Sequence, residues 1–165
     1  LIILANADTH LRMETKDYIE HSYVLARLSP DTTQNGAVIV DEWGNVVGKG
    51  CNRPPDGIEV GENKAYTIEH AERAAIYQGS LSGSLLGLTM YCPWAACPSC
   101  ARAIIMCGIK TLVVHEERMA LTPFRWLERV RVGLDMLDRS GVEVVQWSGK
   151  IGCQPILVNG EPWNP

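Results

Sequence analysis

At 165 residues, 46% apolar and 21% charged, the chain fits one domain around one core, and no apolar run is long enough to supply a candidate membrane helix. The net charge of −4 argues against a nucleic-acid partner, because such binders carry a basic surplus or stripe, and favours a small-molecule substrate. Six Cys, two of them in Cys97-Pro98-Ser99-Cys100, read as metal ligands before disulfides in a chain of intracellular, cytoplasmic character.

Residues 1–13 are read as a poorly ordered leader. Leu1 to Leu4 is too short for a secretory signal, no basic residue precedes it, and Met13 is a candidate start. Residues 14–28 place Tyr18, Ile19, Val24, Leu25 and Leu28 at helical spacing, with Thr15 as candidate N-cap and Pro30 beyond the end. Residues 36–40 and 46–50 are short strands around the turn Glu42-Trp43-Gly44-Asn45, which predicts a hairpin. Residues 53–61 hold two Pro and two Gly and form a loop long enough to carry function. A helix over 69–78, a strand over 88–92 and a helix over 97–107, closed by Gly108, follow. After a strand over 111–115, Thr122-Pro123 caps a long helix that runs to Arg139 and ends at Gly141. Residues 142–147 are a final strand, and residues 148–165 a C-terminal tail. The order α-β-β-α-β-α-β-α-β over 14–147 predicts one domain, a three-layer α/β/α sandwich on a five-stranded mixed sheet. The last two strands are joined through a helix and are therefore parallel.

The chemistry lies in His70-Ala71-Glu72, followed after 24 residues by Cys97-Pro98-Ser99-Cys100. Cys97 and Cys100 are three apart in the first turn of a helix, so both sulfurs share a face. The helix N-terminus favours thiolates there, and Pro98 fits a first-turn position because its missing N–H has no partner. With His70 these make three ligands for Zn2+ and leave the fourth tetrahedral position to water, as catalytic zinc requires. Zinc lowers the pKa of such a water from about 15.7 to about 7. Glu72 is assigned as catalytic proton shuttle, moving protons from water to a ring nitrogen and then to a leaving amine. Residues two apart in a regular helix point about 200° from each other, so His70 and Glu72 share a pocket only at a helix start. The alternative is a closed structural zinc site, with Cys92 or Cys107 as fourth ligand.

The His-x-Glu and Cys-x-x-Cys pair resembles the cytidine/deoxycytidylate deaminase superfamily. The likeness runs from about Tyr18 to Trp147 and is nearest the deoxycytidylate (dCMP) deaminases. Thr33-Gln34-Asn35-Gly36-Ala37-Val38-Ile39-Val40 resembles their first strand, and Gly50-Cys51-Asn52-Arg53-Pro54-Pro55-Asp56-Gly57 a substrate loop. Cys107-Gly108-Ile109-Lys110-Thr111-Leu112 and Met136-Leu137-Asp138-Arg139-Ser140-Gly141-Val142 fit later segments. Cys51, Arg53 and Ala96 depart from the family pattern. The resemblance implies the cytidine deaminase fold, hydrolysis of dCMP to dUMP with release of ammonia, and a substrate contact at Asn52. It implies a homo-oligomer, a hexamer, with a deoxynucleoside triphosphate regulator at the Asn52 loop.

Ala71, Trp94 and Arg118 complete the candidate substrate contacts, Trp94 by stacking on the base and Arg118, as the resemblance implies from its place after the strand, by holding phosphate. Each has a bland counterpart: a turn residue at Asn52, a core Trp94, a structural Arg118. Arg125 and Arg129, four apart on the long helix, are second phosphate candidates, and a solvated helix face is the better reading of them. Two other functions share the motif. One is a deaminase of tRNA or single-stranded nucleic acid, which needs a basic channel. The other is a non-catalytic, zinc-stabilised binding module.

Overall fold

The computed structural model describes residues 13–61 and 63–165, and the leader before Met13 lies outside them. Thirteen elements follow in order: α1 (Thr15–Ala26), β1 (Gly36–Val40), β2 (Val46–Cys51), α2 (Lys64–Thr67), α3 (Ala71–Ser80), β3 (Thr89–Tyr91), α4 (Pro98–Met106), β4 (Thr111–His115), α5 (Glu116–Ala120), α6 (Phe124–Arg139), β5 (Glu143–Trp147), β6 (Ile156–Val158) and β7 (Glu161–Trp163).

The main sheet has the order β2-β1-β3-β4-β5. β1 runs antiparallel to β2 and β3, while β3–β4 and β4–β5 are parallel, as the helical crossovers require. Strand alternation then builds the layers. Ala37, Ile39, Leu112 and Val114 point to one face and pack with Ala75, Ile104 and Leu137 from α3, α4 and α6. Val38, Val40 and Val113 point to the other, where Tyr18, Ile19 and Tyr23 of α1 cover them. The fold is the predicted three-layer sandwich.

Local differences have local causes. Glu14, not Thr15, caps α1, and its N–H donates to Asp17 Oδ2 at 2.8 Å. Pro123, not Thr122, precedes α6 as its N-cap, and the Thr122 hydroxyl instead donates to the Met119 carbonyl at 2.6 Å. The tail holds a hairpin, β6–β7, turned on Asn159-Gly160, both at positive φ. Ile156 and Val158 bury against Tyr23 and Val113, and Gln34 exchanges two hydrogen bonds with Leu157. The hairpin therefore joins α1 in the outer layer.

On the inner face α6 crosses close to the chain that leads into α4. A Cβ at Gly133 would overlap the Ala96 carbonyl oxygen, next to Cys97. Gly→Ala inside a helix ordinarily gains about 1 kcal/mol. Here the clash is with backbone, which cannot swing aside. Gly133→Ala is expected to lose about 1–3 kcal/mol net, read as a lower urea midpoint at unchanged m-value.

Candidate active site

Two helix starts converge at one end of the inner layer. His70 is the N-cap of α3 and Cys97 the N-cap of α4, both with extended backbone, and Pro98 occupies the first turn of α4. His70 thus stands just outside the helical repeat. The 200° separation from Glu72 expected within a helix does not apply, and both side chains line one cavity of about 480 Å³.

His70 Nδ1 lies 3.5 Å from Cys97 Sγ and 3.4 Å from Cys100 Sγ, and the two sulfurs are 3.6 Å apart. With zinc bonds of about 2.0–2.3 Å, tetrahedral edges between such donors run about 3.6–3.8 Å, so this triangle fits one face of a zinc tetrahedron. Among the described residues no further His, Cys, Asp or Glu joins the group. Cys92 turns instead to Asn35 Nδ2, at 3.3 Å, and Cys107 caps the far end of α4.

Cys97 is hydrogen-bonded to Cys100 and to His70, and these bonds push its pKa down to about 3 against the opposing effect of burial. Cys100 is raised by its bond to Cys97 and by burial, and His70 is raised by its bond to Cys97. Arg73 Nη1 stands 4.0 Å from Cys100 Sγ, held there by an ion pair with Glu69, so a positive charge faces the sulfurs from behind. Glu72 is 2% exposed, and burial raises its carboxyl above the usual range, although the neighbouring His70 pulls it back. A buried carboxyl whose proton is readily held and given is suited to proton transfer.

The remaining sequence-predicted residues divide. Ala71, Asn52 and Trp94 line the cavity. Asn52 Oδ1 accepts from the Asn35 N–H at 2.7 Å and its Nδ2 donates to the Thr33 carbonyl at 2.9 Å, leaving one Nδ2 hydrogen free of these bonds. Arg118 does not line the cavity; it has no exposed surface and its guanidinium packs over Trp94. Arg125 and Arg129, read from sequence as a solvated face, do line it. Arg125 Nη2 donates to Asn159 Oδ1 at 3.2 Å, and Arg129 lies 5.2 Å from the centroid of Trp126. Neither forms an ion pair among the described residues. Sequence reasoning missed Trp126, whose ring centroid is 6.0 Å from that of His70, and Lys64, which pairs with Asp31 at the rim. Their signal was weak: α2 has four residues, and which side of α6 faces inward depends on its docking. A larger hollow of about 680 Å³, on the α1 face near Asp41 and Gly44, holds none of the predicted site residues.

Residues 13–116 match the family described as the cytidine and deoxycytidylate deaminase zinc-binding region. The chain belongs to this family. An uncharacterized deaminase in the luxG 3' region of Aliivibrio fischeri is 31% identical over 138 residues, 78% of this chain and 90% of the relative. The deoxycytidylate deaminase of Mus musculus is 32% identical over 110 residues, 59% of this chain and 61% of the relative. Among solved structures, the dCMP deaminase of cyanophage S-TIM5 in complex with dCMP and dUMP superposes with a TM-score of 0.69. It is 23% identical and covers 82% of this chain and 99% of its own, and this likeness speaks to the fold. The family region is described as zinc-binding, and in this chain His70, Cys97 and Cys100 form the group that could hold a metal. No helix among the described residues is long and apolar enough to cross a membrane.

Proposed function

We propose that the deaminase hydrolyses a cytosine deoxynucleotide, dCMP to dUMP with release of ammonia, using Zn2+ held by His70, Cys97 and Cys100. The observation that carries this reading is the three-donor group with Glu72 beside it, inside a cavity that also presents two arginines without carboxylate partners. When bound, zinc supplies the acidity that makes water a nucleophile near neutral pH. The Glu72 carboxylate takes one proton from the attacking water and delivers it to N3 of the base. It then moves the second proton from the new hydroxyl on C4 to the amine, which leaves as ammonia. Trp94 and Trp126 form aromatic walls for the base. The free Nδ2 hydrogen of Asn52 and the backbone of Ala71 face the sugar and base, and Arg125 and Arg129 hold the phosphate.

A second reading, deamination of a base within a single strand, draws on Tyr66 and Phe124. Each is 90% exposed and each adjoins a cavity residue, Ala65 or Arg125, where a flanking base could stack.

An ammonia-release assay across deoxycytidine, its mono-, di- and triphosphates and a cytosine-containing oligonucleotide separates the two. The monophosphate is expected to be the preferred substrate. Arg125→Gln should lower kcat/KM for dCMP by about 10–100-fold, the worth of one hydrogen bond to a charged group, and leave deoxycytidine unaffected. Equal rates on deoxycytidine and dCMP would remove the phosphate contact. Deamination of the oligonucleotide alone would replace the substrate.

A further inference from the structure

Arg118 on α5 has no exposed surface, and none of its three guanidinium nitrogens has a hydrogen-bond partner among the described residues. Burying an unpaired charge is costly, and an apolar residue of the same length would fill the space without that cost. The groups that act on its charge, the Tyr23 hydroxyl and the Cys92 thiol, are engaged with His115 and Asn35. What the guanidinium does meet is an aromatic face, with Cζ 4.5 Å from the centroid of Trp94.

Trp94 lines the cavity and Arg118 does not, so the cation covers the indole from behind. Two other contacts hold the ring. Its Nε1–H donates to Thr122 Oγ1 at 3.0 Å, and Trp126 meets it edge-on, with centroids 5.8 Å apart and planes at 79°. The hydrogen bond fixes the indole at one edge, and a tilt about that edge keeps it. A cation over one face opposes tilting, because the attraction fades as the ring turns its positive edge toward the charge.

We infer that Arg118 is a positioning residue, whose guanidinium fixes the Trp94 indole as a rigid wall for the substrate base while touching no substrate itself. This rests on reading the cavity as the base site, and it replaces the phosphate contact that the sequence suggests for Arg118.

Arg118→Met keeps the length and removes the charge. Near-ultraviolet circular dichroism of the zinc-loaded protein reports tryptophan packing without turnover. The indole bands are expected to change in Arg118→Met and to return toward wild type in Arg118→Lys, which keeps a cation. KM for dCMP should rise about tenfold with a smaller change in kcat, the scale of one desolvated cation–π contact. Zinc content should hold and Tm should not fall, because an unpaired buried charge has been removed. Wild-type bands and KM in Arg118→Met would overturn the inference. So would loss of zinc and of Tm in both variants, which marks a structural role, or a loss seen with dCMP and absent with deoxycytidine, which marks a phosphate contact. If the wild type turns over no cytosine substrate, the proposed reaction fails by itself, and the circular dichroism still decides the role of Arg118.

Discussion

Glu72→Gln is expected to lower kcat by about 10²–10⁴-fold, the range contributed by a positioned general acid–base group, while zinc content and KM stay close to wild type. Gln fills the same volume in the 2%-exposed pocket and still accepts a hydrogen bond, but it cannot carry a proton from water to the base. Ammonia release and metal analysis on the same sample check both halves. The variant distinguishes the catalytic reading from a zinc-stabilised module, because only a catalytic site separates metal retention from turnover. Retained activity would return the proton transfer to some other group. Loss of zinc with activity would make Glu72 a ligand.

Cys100→Ser should cost metal and activity together. Cys100 has no exposed surface and forms two edges of the donor triangle, to Cys97 and to His70. Losing an outer partner of a metal ligand typically costs about 10–100-fold in affinity, so losing a ligand itself should exceed that range. After dialysis against a chelator the variant is expected to retain little zinc, whereas Cys107→Ser, altered at the far end of α4, should bind as wild type does. Zinc loss in Cys107→Ser, or full zinc in Cys100→Ser, would move the metal elsewhere.

The parts of this site legible in the sequence are those whose chemistry fixes both residue type and spacing. A Cys2His set is one of the few donor combinations that hold catalytic zinc, and His70, Cys97 and Cys100 supply it at readable spacing. The sandwich was legible in the interleaving of helices with short strands, and continuously apolar strands such as Ala37–Val40 and Leu112–Val114, buried on both faces, need two helical layers. The cavity mouth was not. Arg125 and Arg129 sit on an amphipathic helix whose rotation is set by Gly133 nesting on Ala96, a contact between segments far apart in the chain. The same docking brings Trp126 beside His70. The C-terminal hairpin is a different case. Asn159-Gly160 between short apolar runs is a strong turn signal, outweighed in a sequence reading by the surrounding Pro, Gly and Asn. Helices as short as α2 and α5 carry too few residues for any periodicity to register.

The proposed centre is a metal held by three side chains and open at the fourth position. X-ray absorption at the zinc edge of the loaded protein measures it directly. The spectrum should fit two sulfurs at about 2.3 Å and two nitrogen or oxygen neighbours at about 2.0–2.1 Å, one from His70 and one from solvent. A third sulfur in the coordination shell would close the site and contradict the proposed hydrolysis.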